Sequence, residues 1–385
     1  ASNNVILGYE AHLNGTGSFS VIIGSQAGYQ NTGTANTFIG YQTGYQNTGS
    51  ANTSLGYQAG FLNTSGFGNT AIGREALRNN QTGARNTALG YQSLQTSNTG
   101  RNVGMGYRAA WQCSGSDNVF IGSEVVQALS SNASQNVVMG SNACFAMISG
   151  GNNVAIGFES AKNITSSPDN VFIGHSAGVN FNNTAGDGRN VAVGSSAGGD
   201  LTTGIYNTFL GYEAGALNTN ITTGNFNTMV GYQAVGSGTA ATNQNSFGYS
   251  AACTGNNQIT LGNTSIGHIR AQVTSITAIS DERDKTSIET IPYGLEFVNS
   301  LQPKKFVWDH RAETDSEGNE FFSSNKGKKD IGFIAQDLQL VDDDYLNLVY
   351  DENPDKLEAT YGRLIPVLVQ AIKELKAEVE LLKNK

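Results

Sequence analysis

An apolar residue followed by glycine recurs at near-regular intervals through the first 262 residues, with sixteen such anchors, and this repeat constrains the fold more than any other feature of the chain. It stands at Leu7-Gly8, Ile23-Gly24, Ile39-Gly40, Leu55-Gly56, Ile72-Gly73, Leu89-Gly90, Met105-Gly106, Ile121-Gly122, Met139-Gly140, Ile156-Gly157, Ile173-Gly174, Val193-Gly194, Leu210-Gly211, Val230-Gly231, Phe247-Gly248 and Leu261-Gly262. The glycines are spaced 16, 16, 16, 17, 17, 16, 16, 18, 17, 17, 20, 17, 20, 17 and 14 residues apart. A period of this length marks a small unit that buries its apolar face only by stacking on its neighbours. Each unit reads roughly N-[TV]-x-[LIVM]-G-Y-x-A-G, as in Asn52-Thr53-Ser54-Leu55-Gly56-Tyr57-Gln58-Ala59-Gly60. The residues three and one before the glycine are two apart and share one face of a strand. Alanine three places after it (Ala11, Ala27, Ala59, Ala76, Ala109, Ala177 and Ala214) supplies a small inward residue to a second short strand. Asn-Thr-Gly and Ser-Gly clusters between units are turn chemistry. Two strands of about five residues and two turns per unit predict a flattened parallel β-roll whose turns stack about 4.8 Å apart.

Composition divides at the end of the repeat. Residues 1–262 hold 42 of the 48 glycines, one proline and 16 charged side chains, whereas residues 263–385 hold 6 glycines, four prolines and 37 charged side chains. The reading is therefore mostly β: a β-roll over 1–262, a connecting strand segment over 263–279 and an α+β module over 280–385 that ends in a helix over 364–382. A net charge of −9 excludes a nucleic-acid partner held by a basic field. No run of 18 apolar residues suggests membrane insertion, and residues 1–30 show no basic start followed by an apolar block. Cys113, Cys144 and Cys253 are odd in number and lack CxxC spacing, against both a disulfide framework and a zinc site.

A single roll of this kind has an interior of two or three aliphatic side chains plus alanine per turn. At about 25 cal/mol per Å² such burial needs a neighbour, and the Ala-, Gly- and Val-rich faces point to another copy of the chain. The pattern over about residues 1–262 resembles the left-handed β-roll heads of trimeric autotransporter adhesins, which share a small-residue strand, an Ile-Gly step and a following Ala. Variable unit lengths and the tyrosine after the glycine depart from that pattern.

Beyond the repeat, Ile266-Gly267-His268-Ile269-Arg270-Ala271-Gln272-Val273 alternates like a strand. Ser280-Asp281-Glu282-Arg283-Asp284-Lys285 follows, then Leu301-Gln302-Pro303-Lys304-Lys305-Phe306-Val307-Trp308, Ile331-Gly332-Phe333-Ile334-Ala335-Gln336, and a helical stretch from Leu364 to Leu382. In this order the set resembles the intramolecular chaperone of phage tailspikes and tail fibres, the self-cleaving S74 peptidase family. The resemblance implies Ser280 as nucleophile, Lys285 as general base and scission at the Ser280-Asp281 bond, with Arg283 a box member of unassigned role. Chemistry agrees: a serine needs a base for its proton, and a lysine serves once desolvation lowers its pKa. On the last helix Ile365, Leu368, Ile372, Leu375, Val379 and Leu382 are spaced 3, 4, 3, 4, 3, a heptad seam. β-Branched a and Leu d residues alone lean toward two strands, but the short seam yields to the shaft and the family, which favour three.

Other candidates read as structure. His12, His175, His268 and His310 are scattered, with no metal-ligand spacing, so neither a metal nor a cofactor is expected. Gly236-Ser237-Gly238 lacks a Walker lysine and reads as a turn. Tyr9, Tyr41, Tyr57, Tyr91, Tyr107, Tyr212, Tyr232 and Tyr249 read as covers for the roll edges in preference to a sugar-stacking ladder. The sequence thus predicts a homotrimeric fibre on a virion tail or bacterial surface, attached to a cell-surface glycan or other receptor. The alternative is a polysaccharide-degrading tailspike, which needs paired carboxylates. Only Glu10, Glu75, Asp117, Glu124, Glu159, Asp169, Asp187, Asp200 and Glu213 are available in residues 1–262, and none forms a close sequence pair.

Overall fold

The computed structural model describes the chain except residues 1–2, 127–132, 185–186, 217–220, 267, 271, 273–279, 310–312, 315–319, 322–325 and 352–356. It divides into two compact units, Ala1–Asn263 and Thr264–Lys385.

The first unit is a parallel β-solenoid. Each repeat contributes one three-residue strand, from β1 (Val5–Leu7) through to β16 (Ile259–Leu261), and the sixteen form one sheet in sequence order. Pairing is parallel and sets equivalent repeat positions opposite one another, as in Val154↔Val171, Ala155↔Phe172 and Ile156↔Ile173. The two residues expected to share a face do so, and that face is the outer one. Its opposite, the middle strand residue, points inward: Ile22, Phe38, Ala71, Ala88, Phe120, Val138, Ala155, Phe172, Ala192, Phe209 and Met229 are all buried. Beside them lie the expected alanines, among them Ala27, Ala59, Ala76, Ala109, Ala177 and Ala214, and a third buried residue such as Leu77, Leu94, Met147, Ile164, Phe181, Leu201 or Ile221.

The expected second strand of about five residues is absent from the described residues, where turns follow each glycine. In the repeat around Gly56, left-handed backbone occurs at Ala51 (φ 56°), Gln58 (φ 51°) and Gly60 (φ 58°). Two left-handed residues separated by one cannot continue an extended chain, so the path turns corners there. Glycine at the strand end is required on two counts. Gly157 has φ 136°, and a Cβ on it would lie 2.3 Å from the carbonyl oxygen of Gly174 one turn on.

Asparagine before each strand holds the turns in register. Asn36, Asn52, Asn69, Asn86, Asn102, Asn118, Asn136, Asn153, Asn170, Asn190, Asn207 and Asn227 are buried. Each Oδ1 accepts the backbone N–H of its counterpart one turn later at 2.8–3.1 Å, ending at Gln244. The Nδ2 groups donate to backbone carbonyls, Asn52 to Gly66 at 3.0 Å and Asn227 to Ala241 at 2.7 Å. A buried amide side chain thus satisfies backbone groups that the corners leave unpaired.

The second unit is small and α+β. It comprises α1 (Leu295–Ser300), β17 (Lys304–Val307), β18 (Glu313–Thr314), β19 (Glu320–Phe321), β20 (Lys329–Gly332), α2 (Ala335–Gln339), β21 (Val349–Tyr350), β22 (Glu358–Ala359) and α3 (Leu364–Lys383). The strands pair antiparallel as β17–β20, β18–β19 and β21–β22. Leu338, Leu346, Leu348, Leu364 and Val367 form its core, with Phe297, Val298, Leu301 and Phe333 packed against them. Glu374 of α3 accepts the backbone N–H of Leu295 at 2.6 Å, tying the start of α1 to the long helix. Within residues 263–279 the sequence reading expected strand, but among the described residues there none is extended in a sheet; 267, 271 and 273–279 lie outside the described residues. The asparagine and glycine ladders end at Gln244 and Gly262, so no repeat position remains to pair with.

Candidate functional site

A single 3-10 turn, Glu282–Asp284, organises the residues singled out by sequence. Asp281 caps it, its Oδ1 accepting the backbone N–H of Arg283 at 2.9 Å. Arg283 forks back onto the same carboxylate, Nε to Oδ1 at 3.0 Å and Nη2 to Oδ2 at 2.6 Å. This bidentate grip, then the backbone bond, holds the Asp281 carboxyl below the usual carboxylate range. The backbone N–H of Lys285 donates to Glu282 at 3.0 Å and closes the turn. That closure brings Lys285 Nζ to 2.6 Å from Ser280 Oγ. Five residues of separation are thereby reduced to one hydrogen bond, within the reach that general-base transfer requires. Ser280, Arg283 and Lys285 are exposed and Asp281 is half-buried.

Residues 280–347 match the model of the Peptidase S74 family, described as the chaperone of endosialidase. The S74 chaperone stands C-terminal to the solenoid. Its match begins at Ser280 and ends before α3, so the serine-lysine pair lies at the very start of the S74 segment. Shaft and S74 segment together make this a protein of tail-fibre or tailspike type. No curated protein matches the chain.

The other sequence candidates fall on the solenoid or outside the described residues. His12 is buried with both ring nitrogens unpartnered, His175 stacks on Phe158 with centroids 5.5 Å apart, His268 is exposed, and His310 lies outside the described residues. Among the described residues no three His, Cys, Asp or Glu side chains converge as a metal site, and no helix is long and apolar enough to cross a membrane. Cys113, Cys144 and Cys253 are buried and free; burial pushes the Cys113 thiol up to about 11 and raises that of Cys144 further. The tyrosines stack on one another: Tyr41 on Tyr57 and Tyr91 on Tyr107, both at 5.4 Å, with the Arg74 guanidinium over Tyr57 and Tyr91 between them. Neighbours therefore cover ring faces that a sugar would need, leaving mainly edges to solvent.

Two features escaped the sequence reading. One is the asparagine ladder, whose signal was the Asn opening nearly every repeat. The other is a groove of about 260 Å³ lined by Ser176, Asn180, Ser196, Asp200 and Glu213, which brings together two carboxylates 13 residues apart. Burial raises the Asp200 carboxyl, and Gln233 Nε2 donates to Glu213 at 2.8 Å.

Proposed function

We propose that the protein is a homotrimeric attachment fibre of a phage tail or bacterial surface, whose C-terminal module assists assembly and then severs itself after Ser280. The S74 match directly behind a sixteen-strand shaft carries this reading. Outward strand positions support self-association: pairs such as Val103 and Met105, Val154 and Ile156, or Thr208 and Leu210 line the whole sheet, and none of the thirty-two is charged. Leu210 is 47% exposed on the single chain. A contiguous, uncharged and largely apolar strip running along all sixteen strands marks an interaction surface. Its rung-by-rung spacing fits a surface of the same period, which a second copy supplies. The α3 seam adds to it, for Ile365, Leu368, Ile372, Leu375, Val379 and Leu382 are 40–69% exposed on the single chain.

Intact mass beside native mass tests both halves: three copies, and a shaft separated from a module beginning at Asp281. Leu210→Glu leaves the inward residues untouched and abolishes the trimer; a Leu210→Glu protein that stays trimeric refutes the strip as interface. Lys285→Arg gives an uncut chain, because arginine stays protonated and cannot serve as base. The receptor of such a fibre is a surface glycan or other exposed ligand.

The groove holding Asp200 and Glu213 favours a second reading, hydrolysis of a polysaccharide by a raised acid beside a hydrogen-bonded carboxylate. A reducing-end assay on surface glycans, with Asp200→Asn as comparison, separates the two: no release of reducing ends leaves attachment alone.

A further inference from the structure

Scission after Ser280 puts this serine on the acyl side of the bond to be broken, and that placement limits which hydroxyl can attack. Oγ adding to the carbonyl carbon of its own residue closes a four-membered ring through Cβ and Cα. A tether of only two atoms keeps it off the line of approach that a near-attack geometry needs. The carbonyl it reaches readily within its own chain is the preceding one, through a five-membered ring, and that attack breaks the bond before Ser280. Yet the Ser280 hydroxyl and Lys285 ammonium are joined at 2.6 Å and both open to solvent, facing outward from the turn. A hydroxyl so held is suited to a carbonyl brought to it from outside.

We propose that cleavage after Ser280 runs in trans: the Ser280–Lys285 pair of one copy attacks the Ser280–Asp281 bond of a second copy within the assembled oligomer. This rests on the cleavage reading above. Oγ of the attacking copy adds to the carbonyl carbon of Ser280 in the second copy, and its proton passes to the neutral Lys285 amine. The tetrahedral adduct collapses with breakage of the C–N bond, and the lysine returns the proton to the departing Asp281 nitrogen. An ester now joins the two chains. Water, deprotonated by Lys285, hydrolyses it to a C-terminal carboxylate on the shaft and a restored serine. The approaching copy also covers the exposed Lys285 and shields the pair from solvent. In the copy being cut, the Asp281–Arg283 clamp is a positioning device: it fixes the residue after the scissile bond in a set turn.

The test co-expresses untagged wild type with a Ser280→Ala chain tagged at its N-terminus, isolates tagged oligomers, and reads both the cut fraction and the first residue of the released module. Ser280→Ala alone stays whole. Mixed with equal wild type, about half of the tagged chains are cut, since each copy in a closed ring has one attacking neighbour, and the released module begins at Asp281. Tagged chains that stay whole in mixed oligomers overturn the trans step, as does a module beginning at position 280. Tagged Lys285→Ala repeats the measurement with an unaltered Ser280–Asp281 bond, should Ser280→Ala fail to co-assemble. Wild type that never cleaves instead overturns the cleavage reading itself.

Discussion

Replacing Asn153 by alanine removes one rung of the buried amide ladder and leaves the apolar interior intact. The Asn153 Oδ1 accepts the backbone N–H of Asn170 at 3.0 Å and its Nδ2 at 3.1 Å, while Asn153 Nδ2 donates to the Ser167 carbonyl at 3.0 Å. Both asparagines are buried, so water does not replace the lost partners. A buried group stripped of its partner costs about 1–3 kcal/mol, and the Asn170 N–H and Ser167 carbonyl are both affected, giving about 2–6 kcal/mol per chain. Asn180→Ala is the reference, since Asn180 is exposed and accepts one long bond of 3.4 Å from Asn163; its expected effect is within about 0.5 kcal/mol. Denaturant unfolding followed by far-ultraviolet circular dichroism compares the two. If unfolding is irreversible, the unfolding rate carries the same comparison. An Asn153→Ala shaft as stable as Asn180→Ala refutes the claim that this ladder holds the turns together.

Two further outcomes follow from local geometry. Gly157→Ala is strongly destabilising, because its Cβ meets the Gly174 carbonyl at a backbone angle that alanine resists, whereas Gly238→Ala, with open space around it, is close to neutral by the same unfolding assay. In the C-terminal unit, Asp343 is held below the usual carboxylate range first by the Tyr293 hydroxyl, and Glu374 first by the Leu295 N–H. A depressed carboxylate contributes stability above its unfolded value and loses it as pH falls through its folded one, so this unit weakens below the ordinary range of 3.8–4.5. Asp343→Asn removes part of that acid sensitivity, and the Tyr293 phenol, raised to about 12 beside Asp343, then ionises at lower pH in an ultraviolet titration.

The repeat was legible because glycine at a strand end, approached by the carbonyl of the next turn, tolerates no other side chain. Which strand face turns inward was harder. Period-two alternation pairs Thr37 with Ile39 but does not say that Phe38 between them is the buried one; the bulk at Phe38, Phe120, Phe172 and Phe209 was the available clue. Left-handed corners at Gln58, Leu77 and Leu94 were illegible, since these residue types carry no preference for that backbone, and a second strand was expected in their place. At the candidate site, the motif named Ser280 and Lys285, and a capped 3-10 turn explains how five residues close to a hydrogen bond. The Asp200–Glu213 groove had no local signature, because stacking brings those side chains together across turns.

A shaft of near-identical turns faces a problem that its own sequence solves poorly. If one copy slips by a whole turn against its neighbours in the proposed trimer, a β-branched residue still meets a β-branched one and an aliphatic residue an aliphatic one along most of the outer strip. The penalty is one lost rung at each end, plus mismatches at the irregular intervals of 18 and 20 residues. Parallel pairing of this kind is also slow and leaves sheet edges open while it proceeds. The C-terminal unit has no repeat, so its α3 seam and core offer one register, and chains joined there start the shaft in step. Deleting residues 281–385 before synthesis therefore gives aggregated or mis-registered shaft, measured as loss of the trimer mass and of cooperative unfolding. Removing the same residues after assembly changes neither, because the shaft's own ladders by then hold every rung. Trimeric, cooperatively unfolding shaft made without residues 281–385 refutes the register argument and leaves the module a passenger on a shaft that assembles itself.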